Sequence, residues 1–445
     1  MDTLPLPPRP DLAQYKKRAK DLLAAARSKE AGAVSAWAAA WLETLARLLG
    51  MTVTPFVQGS FDRAVKGIER RVRDKMADSA AAGSRFALAD AQHLIAQAHG
   101  FDNWAAFASH LERPFAADSK GREFEAAVDA IVTGDLAPLQ SLIHSHPDLV
   151  RARSARTHKA TLLHYVAANG VEDYRQLTPT NAVAVARVLL EAGAEVDALA
   201  STYGGGSDQT TMNLLVSSTH PAEAGLQAAL VETLLDFGAA INGLDDDGSP
   251  MMPALAFGYR DAGGALARRG ARIDNVVAAA GVGRADLVRD FVVDGRTLRP
   301  DVRLAAPRWW RLPNDPKKHI ELALVWACRF GRTDVAEILL EKGVDPAARD
   351  ADDMTALHWA ATNGRVDLMR RLVEGRAPLE VKNAWGGTVL DSTVYFALNQ
   401  PVAGADYPRM IEALIAAGAD IRAVTPFPTG NETIDALLAR HDRRR

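Results

Sequence analysis

The chain has 445 residues, 24% of them charged, with a formal net charge of −3, so no global field selects nucleic acid or membrane. Its one cysteine, Cys328, cannot form an internal disulfide, which fits a reducing compartment. The start MDTLPLPPRPDL lacks the basic-then-apolar order of a secretory signal, and the most apolar run, AGAVSAWAAAWL, is too short to span a bilayer.

Residues 1–10 are Pro-rich and expected to be extended. Asp11 suits the cap of a helix in which Leu12, Tyr15, Leu22 and Leu23 share a face. Lys16, Lys17, Arg18 and Lys20 fall mainly on the opposite side and read as a solvated face, so nucleic acid is not the expected partner. Val34, Trp37, Ala38, Trp41, Leu42, Leu45, Leu48 and Leu49 form a stripe of helical period over 29–49, which Gly50 ends. A third stripe runs from Phe61 through Val65, Ile68 and Val72 to Met76.

Next, Ala91, Leu94, Ile95 and Ala98 predict a helix capped by Gly100. Asp102 is expected to cap a short helix with Trp104, Phe107 and Leu111 inward, and His93 and His99 read as surface or helix-end residues. A domain of four or five helices is expected to close near Arg113-Pro114, with its boundary at 117/118.

Beyond residue 121 an apolar anchor recurs at Leu142, Leu189, Leu234, Leu266, Phe291, Leu339, Leu372 and Leu414, at intervals of 47, 45, 32, 25, 48, 33 and 42. Glycine follows four places on at Gly193, Gly238, Gly270, Gly295, Gly343 and Gly418. Residues 355–360 read Thr-Ala-Leu-His-Trp-Ala, and Thr161-Leu162-Leu163-His164 repeats the start of that pattern.

These residues resemble the ankyrin signature T-P-L-H-x-A, with Ala356 where Pro is usual, in a repeat of ~33 residues. The resemblance covers about residues 122–440. It implies an all-α fold: an ankyrin-repeat solenoid of about seven to eight repeats over 118–445, closed by a capping helix at 431–441 and preceded by a helical domain at 1–117. Insertions are expected at 171–180, at the glycine run Gly204-Gly205-Gly206, in the THPAEAG turn and at 296–318. Ala91, Gln92, Ile95, Ala96, Gly100, Phe101 and Trp104 further resemble the small helical extension that precedes ankyrin repeats in many bacterial proteins, which carries no catalytic role with it.

The chain has no G-x-S-x-G, H-E-x-x-H, Walker loop or CxxC pair, and neither a cofactor nor a metal site is expected. Asp245-Asp246-Asp247 and Asp350, Asp352 and Asp353 read as acidic hairpin tips. The resemblance makes His164 and His358 structural, bonding backbone between neighbouring repeats. Asp391 departs from the pattern by standing where that histidine belongs, either as a substitute acceptor or as a functional group.

Ankyrin arrays bind along their hairpin fingers and the late residues of each first helix. That register falls on Arg329, Phe330, Asp352, Met354, Thr362, Asn363, Trp385, Tyr395 and Phe396, with Trp309 and Trp310 added by the insertion. The expectation is a non-enzymatic cytoplasmic module that binds a protein or peptide through aromatic anchors. The alternative is an enzyme acting on a small molecule in a pocket closed by the 296–318 loop, with Asp315, His319 and Asp391 as acid–base candidates.

Overall fold

A computed structural model describes residues 4, 6, 10–48, 55–112, 119–202, 207–305 and 312–441. The chain forms two compact units, residues 1–240 and 241–445. Gly50, the Gly204–Gly206 run and the expected boundary at 117/118 lie outside the described residues.

The first unit opens with five helices: Leu12–Arg27, Ala33–Leu48, Pro55–Ala81, Leu88–Ala98 and Trp104–Glu112. Their apolar stripes meet in one core that includes Tyr15, Leu22, Trp41, Ile95 and Phe107. Asp11 caps the first helix through Ala13 N at 2.9 Å. The short fifth helix is capped one residue later than expected, because Asn103 Oδ1, not Asp102, accepts from Ala106 N. His99 is a helix-end residue but lies fully buried, edge-on to Tyr15 and Trp41 and stacked on Phe107. Burial drives its pKa down to about 3.

Helix pairs follow. The first unit continues with Ser119–Thr133 and Leu136–Ser145, Leu162–Val166 and Ala182–Glu191, and Thr211–Leu215 and Gln227–Asp236. The second unit pairs Met251–Ala256 with Arg260–Arg268, Val276–Val282 with Ala285–Phe291, Pro316–Arg329 with Thr333–Glu341, Ala356–Thr362 with Val366–Glu374, and Val389–Asn399 with Tyr407–Ala416, before the last helix Glu432–His441. No described helix is long and apolar enough to cross a membrane.

Seven of the eight recurring anchors are buried, each contributing roughly 1.5–3 kcal/mol. Leu142 is only half-buried; Leu139 and Ile143 fill its place. Five of the recurring glycines, Gly193, Gly238, Gly270, Gly343 and Gly418, have φ between 81° and 103° and end their helices. Gly295 is different. Its helix runs instead into the antiparallel hairpin Val292–Asp294 with Thr297–Leu298, and a Cβ on Gly295 would meet Gly343 O at 2.3 Å. Close approach, not a left-handed turn, requires glycine there.

On either side of the undescribed glycine run, Ala200–Thr202 pairs antiparallel with Ser207–Gln209. Residues 171–180 hold the 3-10 turn Asp173–Arg175, and the THPAEAG turn folds as the helix Thr219–Glu223.

Candidate partner-binding face

Two fingers of the array are bonded to the helix that follows them by a short Thr–His motif. Thr355 starts its helix by accepting from His358 N at 3.3 Å. His358 Nδ1 accepts in return from Thr355 N at 3.2 Å, which leaves the Nε2 proton to reach Gly387 O of the next finger at 3.4 Å. Thr161 and His164 repeat the arrangement, with His164 Nε2 at 3.3 Å from Gln209 O. Burial lowers both histidines to a pKa of about 4, so the rings are neutral at physiological pH.

Asp391 reverses this polarity. Its Oδ1 accepts from Thr425 N at 3.1 Å, so it takes a proton from the next segment where a histidine would give one. Asp315 caps its own helix through Lys317 N at 3.0 Å. His319 is buried and anchors the loop before it, with Nε2 at 3.0 Å from Pro313 O; burial lowers its pKa. The three acid–base candidates are therefore committed to three different backbone groups.

The expected anchors divide into buried and exposed sets. Phe330, Met354 and Thr362 are buried, so they pack the repeats and offer a partner nothing. Arg329 is a tie between repeats. Its Nη1 donates to Ala256 O at 3.1 Å, and its guanidinium lies 5.0 Å from the Trp359 ring centroid and 5.7 Å from that of Phe330. Asn363 is engaged in the same way, donating to Arg329 O at 2.8 Å. Trp309 and Trp310 lie outside the described residues.

Trp385, Tyr395 and Asp352 are exposed, and Phe396 is half-buried against Tyr395. Trp385 is 74% exposed at the tip of the 383–387 finger. That tip is held rigidly. Asn383 Oδ1 accepts from Trp385 N and Gly387 N, each at 3.0 Å, and Asn383 Nδ2 reaches Ser392 Oγ at 3.0 Å. Ala384 N bonds Asp352 O of the preceding finger at 2.9 Å, which sets the two tips side by side.

Several further residues of these repeats escaped the sequence reading. Trp359 donates through Nε1 to Asp350 Oδ2 at 2.7 Å, and burial raises the Asp350 carboxyl. The signal for Trp359 was present, since it fills the variable place between His358 and Ala360. Leu398, Val402 and Phe427 are exposed near the last helix pair, and Phe257, also exposed, stacks on Tyr259. Five exposed large apolar residues, Trp385, Tyr395, Leu398, Val402 and Phe427, thus fall within residues 385–427.

Residues 324–373 match the family model for ankyrin repeats (many copies). The chain is 41% identical over 64 residues to Protein fem-1 homolog C of Danio rerio, a match covering 14% of this chain and 10% of that protein. It is equally 41% identical over 64 residues to Potassium channel SKOR of Arabidopsis thaliana, covering 14% of this chain and 8% of that one. The chain therefore spans about a tenth of the length of these relatives. A solved structure of the human ASB11 ankyrin repeat domain is similar at 22% identity and a TM-score of 0.32, covering 66% of this chain and 98% of that one. The fold is all-α with ankyrin repeats.

Proposed function

We propose that the chain is a non-enzymatic interaction module that holds a protein or peptide against the inner face of its last repeats. Trp385 is the principal anchor, Tyr395 and Phe396 supply the apolar floor, and Asp352 borders them. The single observation carrying this reading is the exposed Trp385 ring on a tip whose backbone is already bonded in place. A rigid aromatic loses little conformational entropy on binding, which is why such side chains dominate interface energetics. The single cysteine, Cys328, can form no internal disulfide, which fits a cytoplasmic setting.

The test is affinity purification with the whole chain, followed by calorimetry on each recovered partner. W385A/Y395A should weaken binding at least about 30-fold while circular dichroism stays unchanged. Equal affinity in the variant removes the site.

A further inference from the structure

The finger of the second repeat, residues 153–160, is closed over the end of the helix Leu88–Ala98. That helix ends at Gly100 (φ 77°), whose N–H bonds Gln97 O at 3.0 Å, while Phe101 N bonds Ala96 O at 3.0 Å. Such an ending satisfies inner carbonyls and leaves those of His99 and Gly100 facing onward. The finger meets both. Arg156 Nη1 donates to His99 O at 2.9 Å, and Thr157 donates to Gly100 O from its N at 3.0 Å and its Oγ1 at 2.9 Å. The Arg156 guanidinium also lies 5.6 Å from the Phe101 ring centroid. A cation and two further donors therefore face the negative end of a helix.

Arg156 is only 2% exposed, so its charge must be balanced nearby. Its Nε pairs with buried Glu172, and its Nη2 lies 3.7 Å from Glu125 Oε2 and 3.2 Å from Tyr174 Oη. Arg175 closes the cluster, 2.6 Å from Glu125 Oε2 and 2.8 Å from Asp129 Oδ1. His158 Nε2 lies 3.5 Å from Glu172 Oε2. Glu172, Tyr174 and Arg175 all come from the segment that lengthens the turn of this repeat. Burial alone would raise the Glu172 carboxyl, but the Arg156 guanidinium overrides it and holds it well below the carboxylate range.

We propose that the 153–160 finger is a receptor for a helix C-terminus followed by glycine and an aromatic, and that the chain's own helical region 12–112 is its resident occupant. This end of the array is closed to outside partners for as long as Arg156 keeps its carboxylates. The insertion at 171–180 supplies the counter-charge that makes the buried grip possible.

Amide hydrogen exchange on the full chain tests this. R156A should speed exchange in 88–112 and 153–160 by about 100-fold or more, with 241–445 held within about threefold of wild type. Unchanged exchange in 88–112, or equal acceleration throughout the chain, overturns it. R156M/E172L covers the case in which R156A does not fold, because no lone charge is left buried. It should fold and show the same selective loosening, and wild-type exchange at 88–112 in that variant overturns the proposal. T157A removes the hydroxyl bond to Gly100 but keeps the backbone bond and the charge, and should loosen the same segment about fivefold.

Discussion

Two fingers, each closed at its base by one backbone hydrogen bond, do opposite things. Ser154 N bonds Ala160 O at 2.8 Å in one, and Asn383 N bonds Gly387 O at 3.0 Å in the other. The first carries Arg156 and Thr157, and the chain itself takes up both. The second carries Trp385, with 74% of its surface open. The hairpin is thus a holder, and the residue at its tip decides between closing on the chain and remaining available.

The largest expected effect comes from breaking the closed finger. R156A should destabilise the first unit by up to about 3–5 kcal/mol, because buried Glu172 loses its nearest partner and keeps only His158 at 3.5 Å and Arg175 at 3.6 Å. Chemical denaturation read from probes in each unit separately checks this, and a loss below about 1 kcal/mol contradicts it. Breaking the open finger should leave stability alone. W385A should change the folding free energy by less than about 0.5 kcal/mol, while costing ~2 kcal/mol of partner affinity.

Acid sharpens the comparison through one histidine beside each finger: His164 follows the closed one, and His358 Nε2 reaches Gly387 O of the open one. The folded pKa of His164 and His358 is about 4, below the ordinary 6.5. The unfolded rings take up protons that the folded rings refuse, so their contribution is complete above pH 6.5 and falls as pH drops towards 4. At pH 5 each should cost about 2 kcal/mol of stability, and H358Q should remove its share of that pH dependence from the second unit. The smallest effect belongs to Asp391. D391A should cost at most about 1 kcal/mol, because the Thr425 N–H it releases is exposed and water can replace the acceptor, whereas D391N keeps an acceptor and should cost less; thermal denaturation of the second unit separates the two.

The repeating part of this fold was legible because its signals are local. A Thr cap, a His three residues on and a glycine past the second helix each act within one or two turns. That His164 and His358 bond the backbone of a neighbouring repeat followed from the ankyrin resemblance alone, since their acceptors lie 45 and 29 residues away. Which aromatics face outward was not legible. Phe330 and Met354 fit the exposed register, but neighbouring helices cover them. Arg329 has the composition of an anchor and is instead spent on Ala256 O and the Trp359 face. The segment 171–180 read as spacing between helices, because nothing in Glu-Asp-Tyr-Arg points to an arginine one finger earlier or a glutamate one repeat earlier.

The reversed bond at Asp391 makes the end of the array directional. Two interior junctions, at His164 and His358, mate a proton-giving ring with a carbonyl. The junction after Val389–Asn399 accepts only an incoming amide, and a grafted unit offering a carbonyl there would set oxygen against oxygen. The terminal segment is therefore matched to its neighbour by an acceptor at the place where His164 and His358 offer a donor.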